Sequence, residues 1–153
     1  MAIALSTAGI TLGYCAETTA GTRPSTGYTV IPDAKSIPSF GDEINTLQST
    51  PLSNTVAHSY IPGLRDSGGS IAVQANMSNE FKTAWETAVT AFDGLTGGKT
   101  MWWEVKIPDM TDSFFFPGQP VSLGFAGAEV DSVLEATANI IPTGDYEWAA
   151  KSN

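Results

Sequence analysis

One segment of this chain has the periodicity of a helix, and almost all of the rest alternates with a period of two. Between Ser78 and Gly94, apolar residues recur every three or four positions, which is the spacing of one helix face. Ser78 is a suitable N-cap, and Gly94 is a suitable residue just past a helix end. We therefore predict a helix over 78–93. Its core-facing side is predicted to comprise Phe81, Trp85, Val89 and Phe92.

The remaining segments are rich in Val, Ile, Thr and aromatic residues and are separated by Gly and Pro, as in antiparallel β-proteins. With 153 residues, of which 42% are hydrophobic, the chain is expected to form a single domain over 1–153 with a fair core. The predicted fold class is mainly β with one α-helix, arranged as an antiparallel β-sandwich or partial barrel. Strands are predicted at 10–16, 28–37, 42–49, 70–76, 100–107, 113–125 (interrupted between Pro117 and Pro120), 129–141 and 145–149.

Two of the predicted strands, 100–107 and 129–141, have one apolar side and one polar, mostly acidic side under strict alternation, with Val133 as the exception. An ordinary solvated sheet face explains this pattern as well as a functional acidic surface does, so the residues alone leave both interpretations open. The acidic side chains predicted to point outward are Glu104, Glu129, Asp131 and Glu135. The apolar side chains predicted to point inward are Met101, Trp103, Val105, Ile107, Val130, Leu134, Ala136, Ala138 and Ile140.

The charge and the rare residues exclude several classes of function. Sixteen acidic residues against seven basic ones give a formal net charge of −9, which disfavours sequence-specific nucleic-acid binding because that binding needs Lys and Arg on phosphates. The single cysteine, Cys15, cannot form an internal disulfide, and with the single histidine it cannot form a zinc site of the usual spacing. No stretch approaches the ~20 apolar residues of a membrane span, and the N-terminus has no basic leader region. We expect a cytoplasmic, reducing compartment, no membrane association, no metal and no cofactor.

The segment HSYIPGLRDSGGS at 58–70 resembles the nucleophile signature of chymotrypsin-type serine proteases. However, His58 and Ser67 share one Gly- and Pro-rich stretch that offers no rigid support for a triad. Turn chemistry explains the Asp-Ser-Gly-Gly run better, because Asp and Ser cap their own backbone and the glycines take positive φ. We predict no catalytic residue and do not expect an enzyme.

The connection over 49–69 has no predicted helix or strand, and compact domains rarely carry about twenty such residues unless the segment is functional or disordered. The segment is also more apolar than a free linker should be. Burial against a partner chain explains this composition, and a loop folded back over its own core is the alternative. Its apolar residues are Leu52, Val56, Tyr60, Ile61 and Leu64.

The order of these elements carries a resemblance to a known family. A short N-terminal strand with Gly9 and Gly13 precedes IPDAKSIPSFGDEINTLQSTPLS at 31–53, which reads as a strand, a Pro/Gly break and a Glu-x-x-Thr strand. These are followed by the run IPGLRDSGGSIAV, the single helix and the closing strands that end in GDYEW. This order resembles the tail tube, or major tail, proteins of long non-contractile bacteriophage tails, which share their fold with contractile tail tubes and the type VI secretion tube. The resemblance covers nearly the whole chain, although Trp102 and Trp103 match no family motif and we expect no immunoglobulin-like domain after Asn153.

The resemblance implies an assembly. Six copies would form a ring in which their strands join into an inner β-barrel, with the helix outside, and the rings would stack into a hollow tube. An acidic lumen would repel the DNA that it conducts. The implied lumen-facing residues are Glu104, Glu129, Asp131 and Glu135. The implied contacts of the inter-ring loop over 49–69 are Leu52, Val56, Tyr60, Ile61, Leu64 and Arg65.

The resemblance also implies partners and a location. The partners would be further copies of the chain, a tape measure protein, a tail terminator, and baseplate or distal tail proteins, while viral DNA would pass through without specific binding. The location would be the tail of the virion, after assembly in the host cytoplasm. The alternative interpretation is a monomeric β-sandwich module that binds carbohydrate or protein, with Trp102 or Tyr60 as a stacking platform.

Overall fold

The structure is a computed structural model that describes residues 4–66 and 68–152. Within these residues the chain forms ten strands and one helix, so the predicted class, mainly β with one helix, is confirmed. In chain order the elements are β1 (Thr11–Ala16), β2 (Thr29–Val30), β3 (Ala34–Ser36), β4 (Glu43–Gln48), β5 (Tyr60–Asp66), β6 (Ile71–Asn76), α1 (Asn79–Asp93), β7 (Met101–Lys106), β8 (Asp112–Pro120), β9 (Glu135–Pro142) and β10 (Glu147–Ala150).

Eight strands form one antiparallel sheet in the order β2-β1-β7-β8-β9-β6-β3, with β10 also paired to β8. Strand β8 connects two halves of this sheet, because its first part pairs with β7 and β10 whereas residues 118–120 pair with β9. Strands β1, β2, β7, β8 and β10 form a half-barrel. The segment 29–36 links the two ends of the strand order, since β2 and β3 are consecutive in the chain.

The helix has the predicted bounds and caps. It spans Asn79–Asp93, and the Ser78 side chain, on extended backbone, accepts a hydrogen bond from the backbone N–H of Phe81 at 3.1 Å. The backbone N–H of Gly94 donates to the carbonyl of Thr90 at the other end. On the predicted core face, Phe81 and Trp85 are buried, and Val89 and Phe92 are half-buried against the core.

Two tryptophans join the helix to the sheet. The ring of Trp103 on β7 lies 5.4 Å from that of Trp85 and 5.7 Å from that of Tyr14, centre to centre. Both indole N–H groups are satisfied, because Trp85 donates to the carbonyl of Val121 at 2.8 Å and Trp103 donates to that of Gly118 at 3.1 Å. The rest of the buried apolar core consists of Leu12, Ile31, Ile71, Val73, Ala75, Phe81, Ala88, Met101, Phe116, Ala136, Ala138 and Ile140.

Three predicted strands have different limits in the structure. The predicted strand over 28–37 is split, because Asp33 adopts a left-handed φ of 61° between β2 and β3. Asp131, with φ 58°, is likewise incompatible with extended backbone, so β9 begins only at Glu135. Strand β8 continues through Pro117 and ends at Pro120. Pro117 lacks an N–H but still accepts a hydrogen bond through its carbonyl, from Thr143.

The prediction of an unstructured connection over 49–69 is wrong for its second part. Strand β5 pairs with β4 in a two-stranded hairpin that residues 49–59 connect, so residues 60–66 are not part of a loop. Pro62 and Gly63 indicated a break, but the pairing accommodates them through a register shift. The α-carbon of Gly63 packs so closely that a Cβ there would lie 2.9 Å from the carbonyl oxygen of Asn45.

We predict that Gly118→Ala destabilises the fold. A Cβ at this position would lie 2.6 Å from Cγ2 of the buried Ile140, and overpacking of this kind costs about 1–3 kcal/mol. Urea unfolding followed by tryptophan fluorescence measures the loss. Gly124→Ala is the matched control, because nothing lies within 4 Å of its Cβ, and we expect it to change stability by less than about 1 kcal/mol. Equal stability of the two variants would contradict the prediction.

Candidate assembly surfaces

The β4–β5 hairpin stands apart from the rest of the structure. Within the described chain, β4 and β5 pair only with each other. Every residue of β4 is exposed, and in β5 all but the half-buried Gly63 are exposed. An isolated two-stranded hairpin is at best marginally stable in water. The hairpin therefore lacks the covering that normally stabilises such an element.

The surface of this hairpin exposes several large apolar side chains and carries no charge over a long stretch. Residues 44–64, which we call the uncharged stretch, contain no Asp, Glu, Lys or Arg. At the hairpin tip, residues 49–59, Leu52 is fully exposed and Val56 is 93% exposed. Because exposed apolar side chains are concentrated in this one element, the hairpin is a candidate interaction surface. The other exposed apolar side chains of the stretch are Ile44, Leu47, Tyr60, Ile61 and Leu64.

Local hydrogen bonds give the hairpin tip a defined conformation. The backbone N–H of Ser49 donates to the carbonyl of Ser59, and the N–H of Ser59 donates to the hydroxyl of Thr50, both at 2.8 Å. His58 is part of this tip, since its Nδ1 lies 2.7 Å from Nε2 of Gln48. The candidate nucleophile weighed in the sequence, Ser67, lies outside the described residues. The amide of Gln48 contacts the His58 ring where a triad needs a carboxylate.

Arg65 ties the base of the hairpin to the body. Arg65 on β5 forms ion pairs with Asp42 at 3.4 Å and with Asp145 at 2.6 Å. Asp145 lies in the turn that separates β9 from β10. Gly41 lies on one side of the base and Gly68 on the other, and both line a cavity of about 440 Å³ between the hairpin and the body. The hairpin is therefore attached through glycine-containing segments and exposed ion pairs, which are weak ties.

The predicted outward position of Glu104 is wrong. Glu104 is only 3% exposed, and its carboxylate accepts hydrogen bonds from the backbone N–H of Ser152 at 3.0 Å and from the Ser152 hydroxyl at 2.6 Å. Alternation correctly placed this side chain opposite Trp103. It could not show that the chain end near Ser152 covers that face. Glu104 is therefore buried within its own chain and is no longer proposed as a lumen residue.

The segment between β1 and β2 covers the same face of the half-barrel. The guanidinium carbon of Arg23 lies 4.2 Å from the ring centre of the buried Phe115, and Arg23 also pairs with Glu147. Burial raises the pKa of Tyr28, and the positive charge of Arg23 only partly offsets this rise. The phenol therefore stays protonated, and it donates a hydrogen bond to the carbonyl of Pro24 at 2.9 Å.

Trp102 belongs to this covered face as well. Its indole N–H donates to Oε1 of the buried Glu17 at 2.8 Å, and its ring is half-buried. Trp102 is therefore not an open stacking platform of the kind that a carbohydrate-binding module uses. Tyr60 is exposed, but it lies on the β4–β5 hairpin beside His58.

The other three acidic residues do not share one strand face. Glu129 and Asp131 are exposed in the irregular connection 121–134, together with the exposed side chains of Phe125 and Val130. Glu135 begins β9 and forms an ion pair with Lys35. Val130 and Leu134, predicted to point inward, are exposed because this part of the segment is not a strand. That Glu129, Asp131 and Glu135 face a lumen stays a prediction.

The described residues offer little for metal binding, membrane insertion or thiol chemistry. In the part of the chain that the structure describes, no group of three or more His, Cys, Asp or Glu is placed to hold a metal ion. Among the described residues, the helix is too short and too polar to cross a membrane. Burial raises the pKa of the free Cys15 thiol, which lowers its thiolate fraction at neutral pH and hence its reactivity.

Solved structures share this fold along the whole chain, whereas no protein-family model and no curated protein sequence matches it. A chain of the 6-fold symmetrised baseplate of the anti-feeding prophage superposes with a TM-score of 0.67 at 11% identity, over 98% of both chains. A chain of the tail of an empty GTA particle, refined helically with C6 symmetry, gives 0.63 at 15% identity over 96% of this chain and 100% of that one. A chain of the virion of the native gene transfer agent (GTA) particle superposes with a TM-score of 0.62 at 14% identity, over 96% of this chain and 100% of that one. The protein therefore has the fold of subunits found in these tail and baseplate particles.

We predict that Asp145→Asn loosens the hairpin without unfolding the body. Loss of an exposed ion pair worth about 0.2–1 kcal/mol should raise the rate of trypsin cleavage after Arg65 up to about fivefold. The rate is measured by mass spectrometry on dilute protein. Asp109→Asn is the control with the same charge change, at an exposed position remote from Arg65 in sequence. Cleavage that is no faster in Asp145→Asn than in this control would contradict a role of Arg65 in holding the base.

Proposed function

We propose that this protein is a structural subunit of a phage-type tail, six copies of which form a ring, and that the rings stack into a hollow tube. The observation that carries the proposal is the likeness of fold over the whole chain to subunits of particles with sixfold symmetry. The similarity extends over 98% of this chain for the baseplate subunit and over 96% for the tail subunit.

The uncharged stretch supports stacking between copies. Each copy has a formal net charge of −9, so two copies repel each other wherever acidic surfaces meet. Residues 44–64 offer an extended surface without charge and with exposed apolar side chains, which can be buried against another copy at little electrostatic cost. The predicted contacts Leu52, Val56, Tyr60, Ile61, Leu64 and Arg65 all lie on this hairpin, and Arg65 also holds its base.

Free strand edges support joining within a ring. Among the described strands, β10 pairs with β8 alone, and β2 with β1 alone. Each of these strands therefore has an edge whose N–H and C=O groups can pair with a neighbouring copy. Joining edges into a closed ring removes the exposed edges that would otherwise promote aggregation.

The acidic composition fits a conduit for DNA. Duplex DNA carries one charge per ~1.7 Å of axis, and repulsion from an acidic wall acts within a Debye length of ~8 Å in cellular salt. In the proposed tube, Glu129 and Asp131 line the lumen, whereas the charge of Glu135 is balanced by Lys35. The partners proposed for this role are the tape measure, terminator and distal tail proteins of a virion that assembles in the host cytoplasm.

Electron microscopy of concentrated protein tests the assembly. We expect the wild type to form hollow tubes or six-membered rings, and we expect Leu52→Glu with Val56→Glu to abolish stacking because charges enter the interface. The control pair, Thr83→Glu with Thr90→Glu, adds the same charge on the exposed side of the helix and should leave stacking intact. Single subunits at every concentration, or tubes from the hairpin variant as abundant as wild type, would contradict the proposal.

Co-sedimentation with duplex DNA tests the lumen. Tubes of the wild type should retain no DNA, whereas Glu129→Lys combined with Asp131→Asn should assemble and retain it. Asparagine is used at position 131 because it tolerates the left-handed φ of 58°. Glu86→Lys on the exposed helix face is the control for a general change of charge. Equal retention by the control tubes, or none by the lumen variant, would exclude these residues from the channel wall.

A further inference from the structure

An apolar groove lies at the base of the hairpin. Its volume is about 540 Å³, and it opens where the chain enters β4, because Gly41 and Asp42 form part of its lining. Among the described residues of this lining, Asp42 is the only charged one. The apolar side chains that form most of its wall are Ile10, Ile37, Phe40, Ile107, Phe114 and Trp148.

The groove wall includes a cluster of packed aromatic rings. Phe40 contacts Phe114 and Phe116 at ring distances of 5.4 and 5.0 Å, and Trp148 contacts Phe114 at 5.0 Å. Trp148 is nevertheless 56% exposed at the rim. A preformed wall of large rings with an uncovered rim favours binding of apolar side chains, since little order has to be gained on binding.

The hairpin tip of the same chain does not fill this groove. The tip lies at the far end of β4, and six residues of strand at ~3.3 Å each place it about 20 Å from the base. Leu52 and Val56 at the tip are almost completely exposed, so they contact no groove of their own chain. The groove and the exposed Leu52 and Val56 side chains of the tip thus lie at opposite ends of one hairpin, and neither is covered within the chain.

We propose that the groove receives the hairpin tip of a second copy of this chain, with Leu52 and Val56 packed against Ile107 and Trp148. Charge favours this occupant, because the tip belongs to a stretch without Asp or Glu in a chain that carries sixteen acidic residues. A tip from another copy can therefore enter a groove that has Asp42 at its rim without meeting a like charge.

The contact explains why assembly along the axis would be open-ended. Tip and groove are different surfaces, so each copy that receives a tip still has its own tip free for the next copy. Such a heterologous contact continues into a filament unless a different component ends it. This inference rests on the proposed stacking of rings and adds to it the receiving site.

Thiol cross-linking between copies tests the groove. One protein carries Val56→Cys and the other Ile107→Cys, both with Cys15→Ser so that no other thiol reacts. The two are mixed, assembled and treated with a short bis-maleimide, and mixed dimers are quantified on denaturing gels. We expect at least a tenfold higher yield than for Val56→Cys with Thr83→Cys, a control site on the exposed side of the helix. Ile37→Cys, elsewhere on the groove wall, provides a second pair should Ile107→Cys assemble poorly.

The outcomes separate this inference from the proposed function. Tubes in which neither groove pair cross-links above the control would overturn docking in the groove and leave the tail role intact. Cross-linked pairs without tubes would support docking between copies and count against the tube. Absence of both tubes and cross-links would overturn both proposals.

Discussion

The packing of Trp103 against Gly118 determines how the two halves of the sheet meet. Strand β8 changes partners at this point, from β7 to β9, and the absence of a side chain at Gly118 lets Ile140 and the indole of Trp103 close over the backbone. This packing also affects the turn between β9 and β10. The carbonyl of the adjacent Pro117 holds Thr143, and this places the turn that carries Asp145 beside Arg65. The position of the hairpin therefore depends on the core.

Against this well-packed body, the hairpin is an incomplete element. Sheets of three or more strands, or strands packed on a helix, are stable on their own, whereas two strands exposed on both faces are not. The exposed apolar side chains of residues 44–64 and the apolar groove at the hairpin base are explained together if other copies of the chain cover them. The hairpin would then become stable only when the particle assembles, because the free energy of burying its exposed apolar side chains is gained only on association.

The sequence predicts the helix and the class of fold well, because both depend on local periodicity. Helix α1 has its own caps, Ser78 and Gly94, and its apolar residues have helical spacing. No distant residue alters these features. Strand limits are harder to predict, since they depend on single backbone angles such as those of Asp33 and Asp131. Strand β5 was missed because Pro62 and Gly63 usually break strands, and only the partner strand shows that they fit.

The candidate surfaces were predicted in part. Alternation gives the side of a strand to which a residue points but not what lies on that side, and Glu104 is the clearest case, covered by Ser152 from 48 residues away in the chain. The apolar residues of 49–69 could be identified from composition alone, because exposed Leu and Val in a long connection are unusual. The groove could not, since Ile10, Ile107 and Trp148 are brought together only by the fold.

We propose that other copies of the chain complete the hairpin. Hydrogen–deuterium exchange of residues 44–64, compared between dilute and assembled protein, tests it most directly. We expect weak protection of residues 44–64 in the dilute protein and strong protection after assembly, while the amides of β6, β7 and α1 are protected in both states. Full protection of residues 44–64 in the dilute protein, or no gain of protection on assembly, would contradict it.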